Sequence, residues 1–131
     1  MPYSVCDRVV RIEPGVSGTA IKNVTFSEDY LATHFPIFPV MPGAMMIDAV
    51  AEVAGQVMVA KLGESVATHL VSVSSAKFRR FVRPGDEMQI QVSFARQNEE
   101  KGTAEFTAEI TVDGERAASL REAVLGWKVG S

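Results

Sequence analysis

The stretch that decides the fold is residues 34–62. It begins HFPIFPVMPG, from His34 to Gly43, and continues AMMIDAVAEVAGQVMVAKL, from Ala44 to Leu62. The first ten residues contain three prolines. Because proline fixes φ and keeps the preceding residue out of the helical region, they predict a stiff turn. The next nineteen contain no proline, so they predict one helix of about five turns, which Gly63 would end.

Apolar side chains occupy almost every side of this predicted helix, which is typical of a buried helix rather than a surface one. Before Lys61, its only polar side chains are Asp48, Glu52 and Gln56. Their spacing of four residues places them on one stripe. An antiparallel sheet can cover only part of a helix that is apolar all round, so we expect a second subunit to cover the remainder.

Composition limits the class of protein. The 131 residues and 14.2 kDa predict a single domain over residues 1–131. An apolar content of 47% is sufficient for a substantial core. The formal net charge of −3 argues against nucleic acid as a partner. One cysteine, Cys6, cannot form an internal disulfide, which fits a reducing compartment.

The sequence predicts a cytoplasmic protein, because no charged and then apolar leader precedes a cleavage site at the N-terminus. The apolar run at 44–62 is barely long enough to cross a bilayer. Two carboxylates and a glutamine near its middle would make that location costly, so no membrane span is expected.

Alternation of apolar and polar residues predicts an antiparallel sheet around the helix. Before the helix we expect a hairpin of two strands, at 4–12 and 18–26, followed by a short helical turn that begins near Ser27. After the helix we expect four strands, at 66–81, 88–94, 103–112 and 115–128. Asp113-Gly114 predicts the tight turn between the last two. The predicted fold class is therefore α+β, with a curved antiparallel sheet wrapped around a long central helix.

Two titratable residues in the deciding stretch suit proton transfer. His34 titrates near neutral pH and can act as a base, although a turn histidine can also simply bond a nearby carbonyl. Asp48 lies about one turn into the apolar helix. A carboxylate out of water favours its protonated form and can act as an acid. The alternative for Asp48 is a structural role, as a cap or in a pair with a basic residue.

The start of the helix, at Pro42, Gly43 and Ala44, offers a third element. The first N–H groups of a helix have no internal partner and carry the positive end of its dipole. They can stabilise negative charge on a thioester carbonyl oxygen, and Gly43 would allow close approach. A glycine here could equally be required only by the turn. A base, an acid and such an oxyanion site together predict dehydration of a 3-hydroxyacyl thioester. That reaction needs no metal or organic cofactor, and the sequence contains no metal-binding, P-loop or dinucleotide motif.

These residues resemble the 3-hydroxyacyl-[acyl-carrier-protein] dehydratases, whose fold is the hot-dog fold. The family's central pattern is Gly-His-Phe-Pro-Gly-x-Pro-(Val/Ile)-Met-Pro-Gly, with an acidic residue fourteen positions after the histidine. The matching residues here are His34-Phe35-Pro36, Pro39-Val40-Met41-Pro42-Gly43 and Asp48. A second match runs from Ala76 to Arg80 and continues at Pro84-Gly85-Asp86. The order of elements agrees over nearly the whole chain.

The resemblance implies a role for each matched residue. His34 would be the base, and Asp48 of the facing subunit would be the acid. The Gly43 amide would hold the thioester carbonyl, and Val40, Ala44 and Glu52 would line the substrate site. The substrate would be carried on the phosphopantetheine of acyl carrier protein or on coenzyme A. The active site would then lie at the interface of a homodimer.

The sequence departs from the family pattern at three places. Thr33 and Ile37 stand where the family usually has glycine, so the loop is bulkier near the site. Glu52 stands where a glutamine is usual. Two carboxylates on one stripe repel each other, which favours protonation of at least one if both are buried. These departures suggest a specialised substrate, such as a polyketide or polyene chain. An aspartate as the acid leaves isomerase activity open.

A basic group on this otherwise acidic chain consists of Arg79, Arg80 and Arg83. It could meet the phosphate of phosphopantetheine or an acidic carrier protein, or it could be a solvated strand end. Two other functions remain open at this point. One is a hot-dog thioesterase that directs water at the same thioester, and the other is a non-catalytic module that binds acyl chains or carrier protein.

Overall fold

The computed structural model describes residues 6–24 and 43–129. They form one helix and six strands. The helix, α1, spans Gly43–Leu62, and the strands are β1 Arg8–Glu13, β2 Ser17–Asn23, β3 Val66–Phe78, β4 Glu87–Asn98, β5 Thr103–Val112 and β6 Glu115–Val129. The order of elements matches the prediction. The expected helical turn near Ser27 and the proline-rich turn at 34–42 lie outside the described residues.

All six strands form one antiparallel sheet in the order β1-β2-β4-β5-β6-β3. Helix α1 packs against β1, β2, β3, β4 and β6, which come from both halves of the sheet. A sheet that contacts one helix from both halves must curve around it. The predicted α+β class is therefore confirmed, with the curved sheet and central helix of a hot-dog fold.

The core lies between α1 and the inner face of the sheet. Alternation in β4 buries Met88, Ile90 and Val92 while the residues between them stay exposed. They belong to the same buried cluster as Val50 and Val53 of the helix. The period of two therefore determines which face of each central strand is dry.

Two predicted turns have the expected backbone. Gly63 has a φ of 103° and donates its N–H to the Val59 carbonyl at 2.8 Å, which ends the helix. Asp113 and Gly114 have φ values of 52° and 79°. Positive φ at both central residues is the requirement of the tight hairpin turn that joins β5 to β6.

The ends of four strands differ from the prediction. β1 begins at Arg8 rather than residue 4, and β2 ends at Asn23 rather than residue 26. β3 ends at Phe78 rather than residue 81, and β4 continues to Asn98 rather than residue 94. The apolar alternation of β4 stops at Phe94, where a register shift interrupts its pairing with β5. A bulge of this kind reverses the inward and outward positions, so periodicity alone misses the remainder of the strand.

By length and composition, α1 could cross a membrane, with a mean hydropathy of 1.4. Its packing against five strands instead makes it the core helix of the sheet. Only 44% of its apolar window is buried within the chain, however. This partial burial agrees with the prediction that the helix has more apolar surface than the sheet covers.

Candidate functional site

The N-terminus of α1 has the features expected of an oxyanion site. The helix begins at Gly43, its first turn carries no acidic side chain, and Ala44 is exposed. The dipole of the first turn is therefore not neutralised by the helix's own side chains. A Cβ added at Gly43 would lie 3.1 Å from Cζ of the Phe78 ring. Glycine thus leaves a narrow space between the helix start and an aromatic ring.

Asp48 is exposed in the single chain. The expectation of a carboxylate out of water is therefore not met within one protomer. The reason is the position of Asp48 around the helix axis. Val50, Val53 and Val57 face the sheet and are at most 1% exposed, whereas Asp48 lies on the opposite side of the helix. Among the described residues, nothing removes Asp48 from water.

Glu52 is half-buried and bonded to a segment distant in sequence. Its Oε2 accepts the backbone N–H of Cys6 at 2.8 Å. The buried Cys6 thiol lies within hydrogen-bonding reach of the same carboxylate, and its Sγ is 3.8 Å from the Ala49 carbonyl oxygen. Burial, then the hydrogen bond and the negative charge of Glu52, raise the pKa of the Cys6 thiol well above its usual range. The thiol therefore stays protonated.

The three arginines that the sequence singles out do come together. Arg79, Arg80 and Arg83 line one cleft of about 400 Å³, together with Phe78 and Phe81. Both phenylalanines are unusually exposed, at 48% and 67% of their surface. Exposed aromatic rings between cationic side chains are typical of a surface that binds an anionic partner with an apolar part.

The arginines divide into two kinds. Arg80 forms ion pairs with Asp86 at 3.8 Å and with Glu115 at 3.3 Å. Within the described residues, Arg79 and Arg83 form no ion pair through their side chains, and both are exposed. Arg80 thus ties the turn after β3 to the sheet, whereas Arg79 and Arg83 remain available to an external anion.

Phe78 connects the two parts of the site. Its ring lies against Gly43 at the start of α1, and it also lines the arginine cleft. The start of α1 and the cationic cleft are therefore neighbours on the surface. The sequence assigned no role to Phe78 or Phe81. The sequence feature that could have indicated a role is the presence of large apolar residues at the end of β3 and in the turn that follows it.

The other sequence-predicted residues are distributed as follows. Gly43, Ala44, Asp48 and Glu52 lie along the first three turns of α1. His34 and Val40 lie outside the described residues, so the structure does not relate them to the helix. Among residues 6–24 and 43–129, no group of three His, Cys, Asp or Glu side chains could hold a metal ion.

The edge strand β3 lies beside this site. It pairs with β6 on one side, and no other described strand pairs with its outer edge. All of its residues are exposed or half-buried, and Val71 is 51% exposed. An edge of 13 residues with exposed apolar side chains is a ready template for pairing with another chain.

Comparison with protein families gives one match over most of the chain. The family model described as FabA-like domain matches residues 2–121. Two similar curated proteins are 3-hydroxyacyl-[acyl-carrier-protein] dehydratases FabZ. The one from Rickettsia massiliae is 41% identical over 122 residues, 92% of this chain and 83% of the relative. The one from Rickettsia bellii is 39% identical over the same shares.

Solved structures share the fold at low sequence identity. The dehydratase heterocomplex ApeI:P from Xenorhabdus doucetiae superposes with a TM-score of 0.67 at 17% identity, covering 95% of this chain and 97% of that one. The smu.793 protein from Streptococcus mutans, bound to acetyl CoA, gives 0.72 at 12% identity, covering 94% and 89%. At such identity these likenesses show the architecture alone.

Proposed function

The chain belongs to the FabA-like domain family, and we propose that it is the enzyme that converts a 3-hydroxyacyl thioester on acyl carrier protein to the trans-2-enoyl thioester of fatty-acid biosynthesis. The observation that carries the proposal is the arrangement at one end of α1. Gly43 opens a helix start without acidic side chains, Asp48 follows on the next turn, and Phe78 links this end to a cationic cleft.

The proposed mechanism is an elimination with acid and base. His34 removes a proton from the carbon next to the carbonyl. The pair of electrons forms the C2–C3 double bond as the C3–O bond breaks, and Asp48 of the facing subunit protonates the departing hydroxyl, which leaves as water. The Gly43 N–H stabilises the charge on the thioester oxygen meanwhile. The role of His34 rests on its sequence pattern, and the reaction itself requires no cofactor.

The proposal requires a homodimer. Asp48 has to donate a proton to the departing hydroxyl. A second subunit that covers the open stripe of α1 would remove water from Asp48 and favour its protonated form. The outer edge of β3, with Val71 exposed on it, is the surface that we propose for this contact.

We propose that the arginine cleft binds the carrier of the acyl group. Arg79 and Arg83 would bind the phosphate of phosphopantetheine or acidic side chains of the carrier protein, and Phe81 would supply apolar contact. Arg80 would act through its ion pairs, by holding the turn in place. We further propose that residues 1–131 form one domain. This domain would act in the cytoplasm and would not span a membrane.

The deciding experiment is a direct assay on both sides of the reaction. Purified protein is incubated with a 3-hydroxyacyl carrier protein and, separately, with the enoyl form. We expect interconversion of the two by gain or loss of water, with no release of free thiol. Thiol release without hydration or dehydration would identify a thioesterase instead. Binding of the carrier without either reaction would identify a non-catalytic binding module instead.

A further inference from the structure

A buried polar cluster next to Asp48 has no part in the reaction proposed above. It lies where the chain entering β1 and the end of β2 meet the middle of α1. Cys6 and Lys22 are each only 8% exposed, and Lys22 is the one charged side chain among the described residues that is buried to this degree. Glu52 is the third member.

The contacts of the cluster fix the Glu52 carboxylate. Its Oε2 accepts the Cys6 N–H at 2.8 Å, and the Cys6 thiol also lies within its reach. Lys22 stands on the inner face of β2, where the alternate residues Ala20 and Val24 are buried too. Its positive charge acts on the same thiol, in opposition to Glu52. A carboxylate with a backbone donor and a buried ammonium nearby is stabilised as the anion.

Glu52 and Asp48 are one turn apart on the same stripe of α1. Residues four apart on a helix are neighbours, with Cβ atoms about 6 Å from each other. We propose that Cys6 and Lys22 hold Glu52 as an ionised positioning residue, whose charge keeps the proton on Asp48 in the assembled dimer. This inference rests on the proposed function, because it presumes that Asp48 is the acid.

Few other charges face this part of the helix within the described residues. β4 presents Met88, Ile90 and Val92 to it, and the half-buried positions of β3 are apolar or hydroxyl side chains. The buried residues of β6 are apolar or glycine. Asp7, beside Cys6, is exposed but adds a negative charge near the thiol. The charged side chains of β1, Arg8, Arg11 and Glu13, are exposed. Among the described residues, Glu52 is therefore the charge that lies next to Asp48 on the same stripe of the helix.

The sign of the effect follows from charge. A negative neighbour disfavours ionisation of Asp48, so Glu52→Gln should let Asp48 lose its proton at lower pH. Glutamine still accepts the Cys6 N–H, so the geometry is kept. The shift should be about half a pH unit, the effect of a unit charge about 6 Å away in water.

The experiment measures kcat/KM against pH for the full-length dimer with a 3-hydroxyacyl carrier protein. Glu52→Gln should move the alkaline limb to lower pH. Lys61→Met and Glu64→Gln are matched controls, since they remove single charges from exposed residues near the far end of α1. Neither should move the limb.

Glu52→Ala removes both the negative charge and the acceptor for the Cys6 N–H, whereas Glu52→Gln removes only the charge. Glu52→Ala should therefore lower kcat in addition to shifting the alkaline limb of the pH profile. Glu52→Gln should shift the limb but keep kcat near the wild-type value. An unmoved limb in Glu52→Gln, with Asp48→Asn inactive, overturns this inference and leaves the proposed function intact. An active Asp48→Asn overturns the proposed function itself.

Discussion

Helix α1 has two sides with opposite properties. On its covered side, Val50, Val53 and Val57 are at most 1% exposed and pack into the sheet. On its open side, Asp48 is exposed and Glu52 is half-buried, and the arginine cleft lies beside the helix start. Burial of apolar surface explains the first side completely. On the second side, the exposed carboxylate of Asp48 adds no buried contact within the chain, so burial does not explain its presence.

The largest effect is expected on the open side. Asp48→Asn keeps the shape of the side chain but removes the acid, so kcat should fall by about 10²- to 10⁴-fold. Stability should hardly change, since asparagine has nearly the size and hydrogen-bonding groups of a protonated aspartate. Asp113→Asn is the matched control, because it makes the same change at another exposed site, in a turn that accepts asparagine. Equal activity of the two variants would remove Asp48 from the mechanism.

The covered side should respond in the opposite way. Val53→Ala removes two methyl groups at a position that is 1% exposed, so the free energy of unfolding should fall by about 2 kcal/mol. Folded enzyme should retain most of its kcat. Denaturant titration measures the loss. Val10→Ala, at a position 51% exposed, should cost well under 1 kcal/mol, and an equal loss there would show that burial is not the cause.

A smaller effect should distinguish the arginines. Replacing both Arg79 and Arg83 with alanine should raise KM for the carrier-bound substrate about tenfold, or about 1.4 kcal/mol. A thioester analogue without the phosphate should show no such change. Arg80→Ala should instead lower stability, by about 0.5 kcal/mol, because its ion pairs are partly exposed. Equal increases in KM for both thioesters would show that the cleft does not bind the carrier.

The smallest effect concerns Cys6, which lies at the boundary between the two sides. The pKa of its thiol is raised in the folded state from an ordinary value of 9.0. The unfolded thiol therefore ionises first, and this contribution to stability is present below pH 9 and lost as pH rises above it. Between pH 8 and 9.5 the loss should be up to about 1 kcal/mol. Urea titrations should show it in the wild type and not in Cys6→Ala.

The site could be predicted only where its residues are close in sequence. Gly43, Ala44, Asp48 and Glu52 belong to one helix, so their spacing alone fixed their relative positions. Arg79, Arg80 and Arg83 could be recognised as a basic group for the same reason. Their separate roles could not, because the partner of Arg80 at Glu115 is 35 residues away. The Cys6–Glu52 bond spans 46 residues and left no local signal.

The sequence alone determined the position of the core helix, the alternation of β4 and β5 and the turns at Gly63 and Asp113-Gly114. These depend on periodicity and on backbone preferences, which act between neighbouring residues. Only the tertiary structure decided which side of α1 is covered, which arginine is paired and where the Glu52 carboxylate is held. Those outcomes depend on contacts between strands and helix that are distant along the chain, and no local pattern encodes them.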